Sequence, residues 1–207
     1  MSDVHGRLGV LVSGRGSNLQ SLADAVRRGA LDAGIAIVLS NRADAAGLVW
    51  AREQGLATAC LRTRDYPTRD EYDQAIVEQL RAHDVNLVCL AGFMRLVGAP
   101  LLEAFPQRIL NIHPSLLPSF PGLDAQRQAL DHGVRVSGAT VHLVTAELDG
   151  GPIVQQAVVP VLDDDTEETL AARILVEEHR IYPEAVRTVL EGDWHLDGRR
   201  LRRGPPR

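Results

Sequence analysis

The chain has 207 residues, 45% of them hydrophobic and 24% charged, which suffices for a globular core of one large or two small domains. All 22 basic residues are arginine, and the lack of lysine excludes Schiff-base chemistry, pyridoxal enzymes and a Walker A loop. Net charge is −5, and five arginines without an acid in 199–207 leave residues 1–198 at −10, an acidic body unsuited to nucleic acid.

Residues 8–13 (LGVLVS) read as a strand, and a helical pattern runs from 19 to about 28. Residues 35–39 (IAIVL) form a second buried strand, and 45–54 a helix closed by Gly55. A weaker strand covers 57–61, and Thr68 to Glu71 is a capping box opening a helix to about 83. Residues 85–90 (VNLVCL) are a central strand, 100–105 a short helix and 108–112 (RILNI) another strand. This alternation predicts a parallel sheet with helices on both faces. Beyond it, 139–144 and 153–161 form an antiparallel strand pair. Asp165 to Glu168 is a second capping-box pattern, opening a helix to 190 that is interrupted or kinked at Pro183. Asp197-Gly198 signals a hairpin turn, and the tail RRLRRGPPR reads as a solvated terminus. The fold class is therefore α/β, doubly wound and mostly parallel, with an antiparallel C-terminal strand pair and a long C-terminal helix.

No apolar run reaches the roughly 18 residues of a membrane span. Residues 1–7 show neither a basic n-region nor a cleavage site. Cys60 and Cys89 lie in apolar surroundings and give no disulfide framework, so a cytoplasmic location without membrane partners is expected. Outside His113, the histidines (His5, His83, His132, His142, His179 and His195) form no metal-binding pattern, and no metal is expected. His142, within a strand, is a candidate for supporting a site.

Ser13-Gly14-Arg15-Gly16-Ser17-Asn18 joins the first strand to the first helix, where glycines admit an anion and a helix N-terminus attracts it. The third glycine of a dinucleotide fingerprint would fall at Leu19, and the second strand ends Ser40-Asn41-Arg42 with no acid for a ribose 2′-OH, so a single phosphate fits better than a pyrophosphate. A tight glycine turn without a ligand is the alternative. Further on, Asn111 and His113 stand two apart at a strand end and so face one side, a carboxamide donor beside an imidazole. A capping Asn and a satisfied core His are the alternative. Asp149, in the turn-rich Glu147-Leu148-Asp149-Gly150-Gly151-Pro152, is either a partner for His113 or a turn former.

Taken together, SGRGSNLQ (13–20), SNRADAAGL (40–48), LAGFMRLV (90–97), LNIHPSLLP (110–118), HLVTAELDGGPIVQQ (142–156) and EEHRIYP (177–183) resemble the folate-dependent glycinamide ribonucleotide formyltransferases. The resemblance spans roughly residues 8–201. It implies one formyltransferase domain over 1–207, with a nucleotide- and phosphate-binding half to about 105 and a folate-binding, catalytic half from about 106. It implies transfer of a formyl group from the co-substrate 10-formyltetrahydrofolate to the amine of glycinamide ribonucleotide in purine biosynthesis, by a monomer or homodimer acting on small molecules. By resemblance, Gly16, Ser17, Asn18 and Glu178 hold the ribonucleotide. Arg69, Met94, Arg95, Leu96, Val97 and Asn111 meet the folate, and Asn111, His113 and Asp149 form the catalytic set. Both a protonated His113, held by Asp149, and a neutral one acting as base are compatible with that set. The chain departs from many relatives at Asp124-Ala125-Gln126, Ser119 and Leu175, positions that touch the substrate site.

Three rival readings stand beside it. A formyltetrahydrofolate hydrolase shares the catalytic set but uses water and needs no phosphate loop. A non-catalytic nucleotide-sensing module leaves the Asn-x-His pair and the acidic loop without a joint purpose. A methionyl-tRNA formyltransferase normally adds an RNA-binding domain, which an acidic chain of this length does not suggest.

Overall fold

Runs of branched aliphatic residues become five parallel strands: β1 (Gly6–Val12), β2 (Ala33–Ser40), β3 (Thr58–Cys60), β4 (Leu87–Leu90) and β5 (Ile109–His113). The structure, a computed structural model, describes residues 6–204. Residues 1–5, on which part of the leader reading and His5 fall, and 205–207 of the basic tail lie outside them. The described residues divide into two compact units, with the boundary between Asn111 and Ile112.

In the first unit the strand order is β3-β2-β1-β4-β5. Leu8, Val10, Leu11 and Val12 of β1 are fully buried, as expected of a central parallel strand covered on both faces. The helices are α1 (Ser17–Arg27), α2 (Ala46–Glu53), α3 (Arg69–Ala82) and α4 (Ala99–Ala104). α1 begins at Ser17 rather than at 19, because Gly16 takes a left-handed conformation (φ 75°) and turns the chain directly into the helix. Thr68 caps α3 as expected, accepting from the Glu71 N–H at 3.2 Å. The strand order reverses direction between β1 and β4, so the segments leaving their carboxyl ends, 13–18 and 91–98, flank the usual ligand position of such a sheet.

The second unit holds α5 (Ala125–Asp131), β6 (Val136–Leu143), β7 (Ile153–Pro160), α6 (Glu167–Glu191), β8 (Trp194–Asp197) and β9 (Arg200–Arg203). β6 and β7 pair antiparallel as the sequence implied, and α6 packs on both. The mostly parallel α/β class, the antiparallel pair and the long helix are thus all present. Two details differ from the sequence reading. α6 runs unbroken through Pro183, because a buried stripe of Leu170, Ile174, Ile181, Tyr182, Ala185, Val186 and Val189 offsets the one backbone bond that proline removes. In the described part of the basic tail the arginines are solvent-exposed, as read, but Arg200–Arg203 also forms strand β9, hairpinned to β8, with Arg202 paired to Asp197 (2.7 Å) and Arg203 bonded to Thr188 (3.0 Å).

The second capping box also moves by one residue. Thr166, not Asp165, is the N-cap, and it exchanges bonds with Thr169. Asp165 is engaged elsewhere: it accepts from Arg173 at 2.7 and 2.9 Å, from the Leu162 N–H at 2.7 Å and from Thr169 Oγ1 at 2.8 Å. Arg173 above all, then the Leu162 amide, holds this carboxyl far below the usual carboxylate range. A depressed folded value means that the stabilisation is present above the unfolded value of about 3.9 and is lost as pH falls through the folded one. Asp165→Asn should therefore lower Tm at neutral pH, and thermal melts across pH should show the gap to the parent closing as pH drops below about 4.

Candidate functional site

In the first unit, the loop 13–18 leaves the end of β1 and enters α1. Gly16 is buried so tightly that a Cβ there would lie 2.6 Å from Gly47 Cα, and the Gly47 N–H donates to Gly14 O at 2.9 Å. The glycine therefore serves the packing of α2 on the loop. α1 opens with no side-chain cap at Gly16 and no acid in its first turn, which leaves the positive end of its dipole without a negative side chain from that turn. Gly16, Ser17 and Asn18 thus stand together at a helix N-terminus, with Ser17 partly exposed and Asn18 buried.

Ser13, just before this loop, carries a connection that sequence reasoning missed. Its hydroxyl donates to Asn41 Oδ1 at 2.7 Å and accepts from the Met94 N–H at 2.9 Å. It therefore ties the end of β1 to the segment following β4. That segment presents Met94 and Leu96 to solvent, 68% and 60% exposed, with Arg95 exposed and Val97 half-buried. Arg69, at the first turn of α3, belongs to the same neighbourhood: its Nε is 3.3 Å from where a Gly98 Cβ would stand. Arg69 thus stands beside Gly98, the residue that follows 94–97, although Met94 lies 25 positions further along the chain.

β5 carries Asn111, partly exposed, and His113, buried, two apart and so on one side of the strand. In the second unit, His113 Nδ1 lies 3.5 Å from Asp149 Oδ2, with both side chains under a tenth exposed. Asp149 Oδ1 lies 3.6 Å from His142 Nε2, and Oδ2 accepts from the Gly122 N–H at 2.8 Å. Asp149 is both a turn residue, at φ 49°, and the neighbour of two imidazoles. Gly151 allows this turn, because a Cβ there would run into Leu143 O.

The loop after His113 is pinned by Thr140 on β6. Its hydroxyl donates to Ser115 O (2.7 Å) and accepts from the Leu117 N–H (3.0 Å) and from Gln156 Nε2 (3.0 Å).

The ring protons follow from these partners. A carbonyl only accepts, so His113 Nε2, 2.9 Å from Phe120 O, carries a hydrogen, as does His142 Nδ1, 3.0 Å from Leu143 O. A neutral His113 then turns its Nδ1 lone pair toward Asp149. Burial pushes the His113 imidazole below its usual range, outweighing the Phe120 carbonyl and the Asp149 charge. Burial alone would raise Asp149, yet His142, the Gly122 amide and His113 together hold it below the usual carboxylate range. The pair at neutral pH is a carboxylate beside a neutral imidazole that gains a counter-charge whenever it takes a proton.

Glu178 is buried within the apolar stripe of α6, one turn after Ile174. A carboxylate at such a position is costly unless it is used, and this is the signal that marks it in the sequence. Among the positions that depart from relatives, Asp124 precedes α5 at φ 55°, the Ser119 carbonyl accepts from Ser115 Oγ (2.6 Å), and Leu175 is half-buried on α6.

The buried imidazole–carboxylate pair is equipment for proton transfer, and comparison with known proteins names the class. The chain belongs to the formyl transferase family, whose model matches residues 6–186. It is similar to the phosphoribosylglycinamide formyltransferase of Escherichia coli (strain K12), 43% identical over 190 residues, covering 92% of this chain and 87% of that protein. It is also similar to the bovine trifunctional purine biosynthetic protein adenosine-3, 46% identical over 186 residues, covering 90% of this chain but 18% of that protein. Among solved structures it resembles glycinamide ribonucleotide transformylase 1 from Symbiobacterium toebii at 56% identity and a TM-score of 0.95, covering 98% of this chain and 96% of that one.

Proposed function

We propose that the chain transfers the formyl group of 10-formyltetrahydrofolate to the amine of glycinamide ribonucleotide, yielding N-formylglycinamide ribonucleotide and tetrahydrofolate in purine biosynthesis. It does so as one cytoplasmic formyltransferase domain. The observation that carries this reading is the buried His113–Asp149 pair in a chain of the formyl transferase family. The first half supplies Gly16, Ser17 and Asn18 for the ribonucleotide phosphate, and Arg69, Met94, Arg95, Leu96 and Val97 for the folate. Glu178 helps to hold the ribonucleotide.

10-Formyltetrahydrofolate supplies an activated formyl carbon. The amine nitrogen bonds to that carbon, and the carbonyl electrons move to oxygen. Asn111 Nδ2 donates to this oxygen as its negative charge grows. The bond from carbon to the folate nitrogen then breaks, and the proton shed by the amine ends on that nitrogen.

His113 relays the proton, and its two neighbours compete over how. With Nε2–H on the Phe120 carbonyl, the ring is parked. When that carbonyl yields, Asp149 favours the Nδ1–H tautomer and frees the Nε2 lone pair as a base. Asp149 then stabilises the imidazolium, which gives the proton to the leaving nitrogen.

Mixing the protein with 10-formyltetrahydrofolate, with and without glycinamide ribonucleotide, tests this reading by folate absorbance. Tetrahydrofolate should appear only when the ribonucleotide is present. Release without it would make the chain a hydrolase, and no release in either case would leave a binding module.

A further inference from the structure

Asp73 sits on α3 one turn after Arg69, inside the buried stripe of Tyr72, Ile76, Val77 and Leu80, and is 2% exposed. A carboxylate at such a position is costly unless something uses it. Its partner is backbone: the Gly98 N–H donates to Asp73 Oδ2 at 2.6 Å. The fit is close, since a Cβ at Gly98 would run into that oxygen. Burial raises the Asp73 carboxyl above its usual range, while the Gly98 amide and the Arg69 charge act to keep it ionised.

Ser13 Oγ holds the other end of the same segment through the Met94 N–H. The stretch 94–97 is therefore pinned at both ends by buried side chains, while Met94 and Leu96 face solvent. An exposed apolar segment is ordinarily costly to order when it binds a ligand, and two buried anchors remove that cost in advance.

We infer that Asp73 is a positioning residue for the folate: it fixes the 98 end of this segment, beside Arg69. The inference rests on the proposed folate role of Arg69 and residues 94–97. Asp73 touches no reacting atom, so its loss belongs in folate affinity and not in turnover at saturation.

The test is steady-state kinetics for both substrates, with tetrahydrofolate binding measured by calorimetry, in the parent, Asp73→Asn and Asp73→Ala. Asp73→Ala should raise folate Kd and KM about tenfold, the scale of one lost hydrogen bond to a charged group. Ribonucleotide KM and kcat at saturating folate should stay within about twofold of the parent. Asp73→Asn keeps a carbonyl that can accept from Gly98 and should recover most of the loss. If Asp73→Ala does not fold, Asp73→Asn still decides through amide exchange: faster exchange at Gly98 should accompany weaker folate binding.

Unchanged folate affinity in Asp73→Ala, or faster Gly98 exchange with unchanged affinity, overturns the inference. So does a comparable rise in both substrates' KM together with a fall in kcat, which marks a general structural role, or an Asn variant as poor as Ala. A parent that binds tetrahydrofolate but transfers no formyl group defeats the functional reading instead.

Discussion

Asp149→Asn should lower kcat by about 10²–10⁴-fold, the usual span for an acid–base group or its orienter, with little change in ribonucleotide KM. The substitution is a clean one. Asn tolerates the left-handed φ of 49° at this turn, and its carbonyl can still accept from the Gly122 N–H. What it removes is the charge beside His113 and His142. Burial already depresses His113, and without the counter-charge the ring falls further. The acid limb of the kcat/KM profile should therefore move to lower pH in the variant. A pH–rate series on folded Asp149→Asn checks both effects, and parental kcat would leave Asp149 as a turn former only.

Asn111→Leu should cost about 10²–10³-fold in kcat, the scale of one oxyanion donor that acts mainly in the transition state. Leucine is close in size, and the position is partly exposed on β5, so the strand should survive. Ribonucleotide affinity, measured by equilibrium binding, should fall far less than turnover. Near-parental kcat would remove the oxyanion role.

Local patterns made most of the architecture legible. Branched aliphatic runs marked β1, β2 and β4, and Thr68 with Glu71 marked the start of α3, because each signal lies within a few residues of the chain. The misreadings arose where a distant group decided the outcome. Asp165 looked like a cap until Arg173, two turns along α6, claimed it. The strand of 200–203 went unread because the partners of its exposed arginines, Asp197 and Thr188, show only once β8 and β9 pair.

The site divides in the same way. Gly16, Ser17 and Asn18 form one contiguous loop, and Asn111 and His113 share one strand, so both groups could be read directly. The meeting of Asp149 with His113, 36 residues earlier, has no local signature and comes from the fold. Asp73 went unnoticed because a charge inside an apolar stripe reads as a helix imperfection until its buried partner, the Gly98 amide, is seen.

The most direct test of formyl transfer is to follow the label from 10-[¹³C-formyl]tetrahydrofolate by carbon NMR in the presence of glycinamide ribonucleotide. The account predicts that the label moves to the ribonucleotide amine, one formamide for each tetrahydrofolate released, and that Asp149→Asn slows this transfer by at least about 10²-fold. Label emerging as free formate, at a rate indifferent to the ribonucleotide, would contradict it.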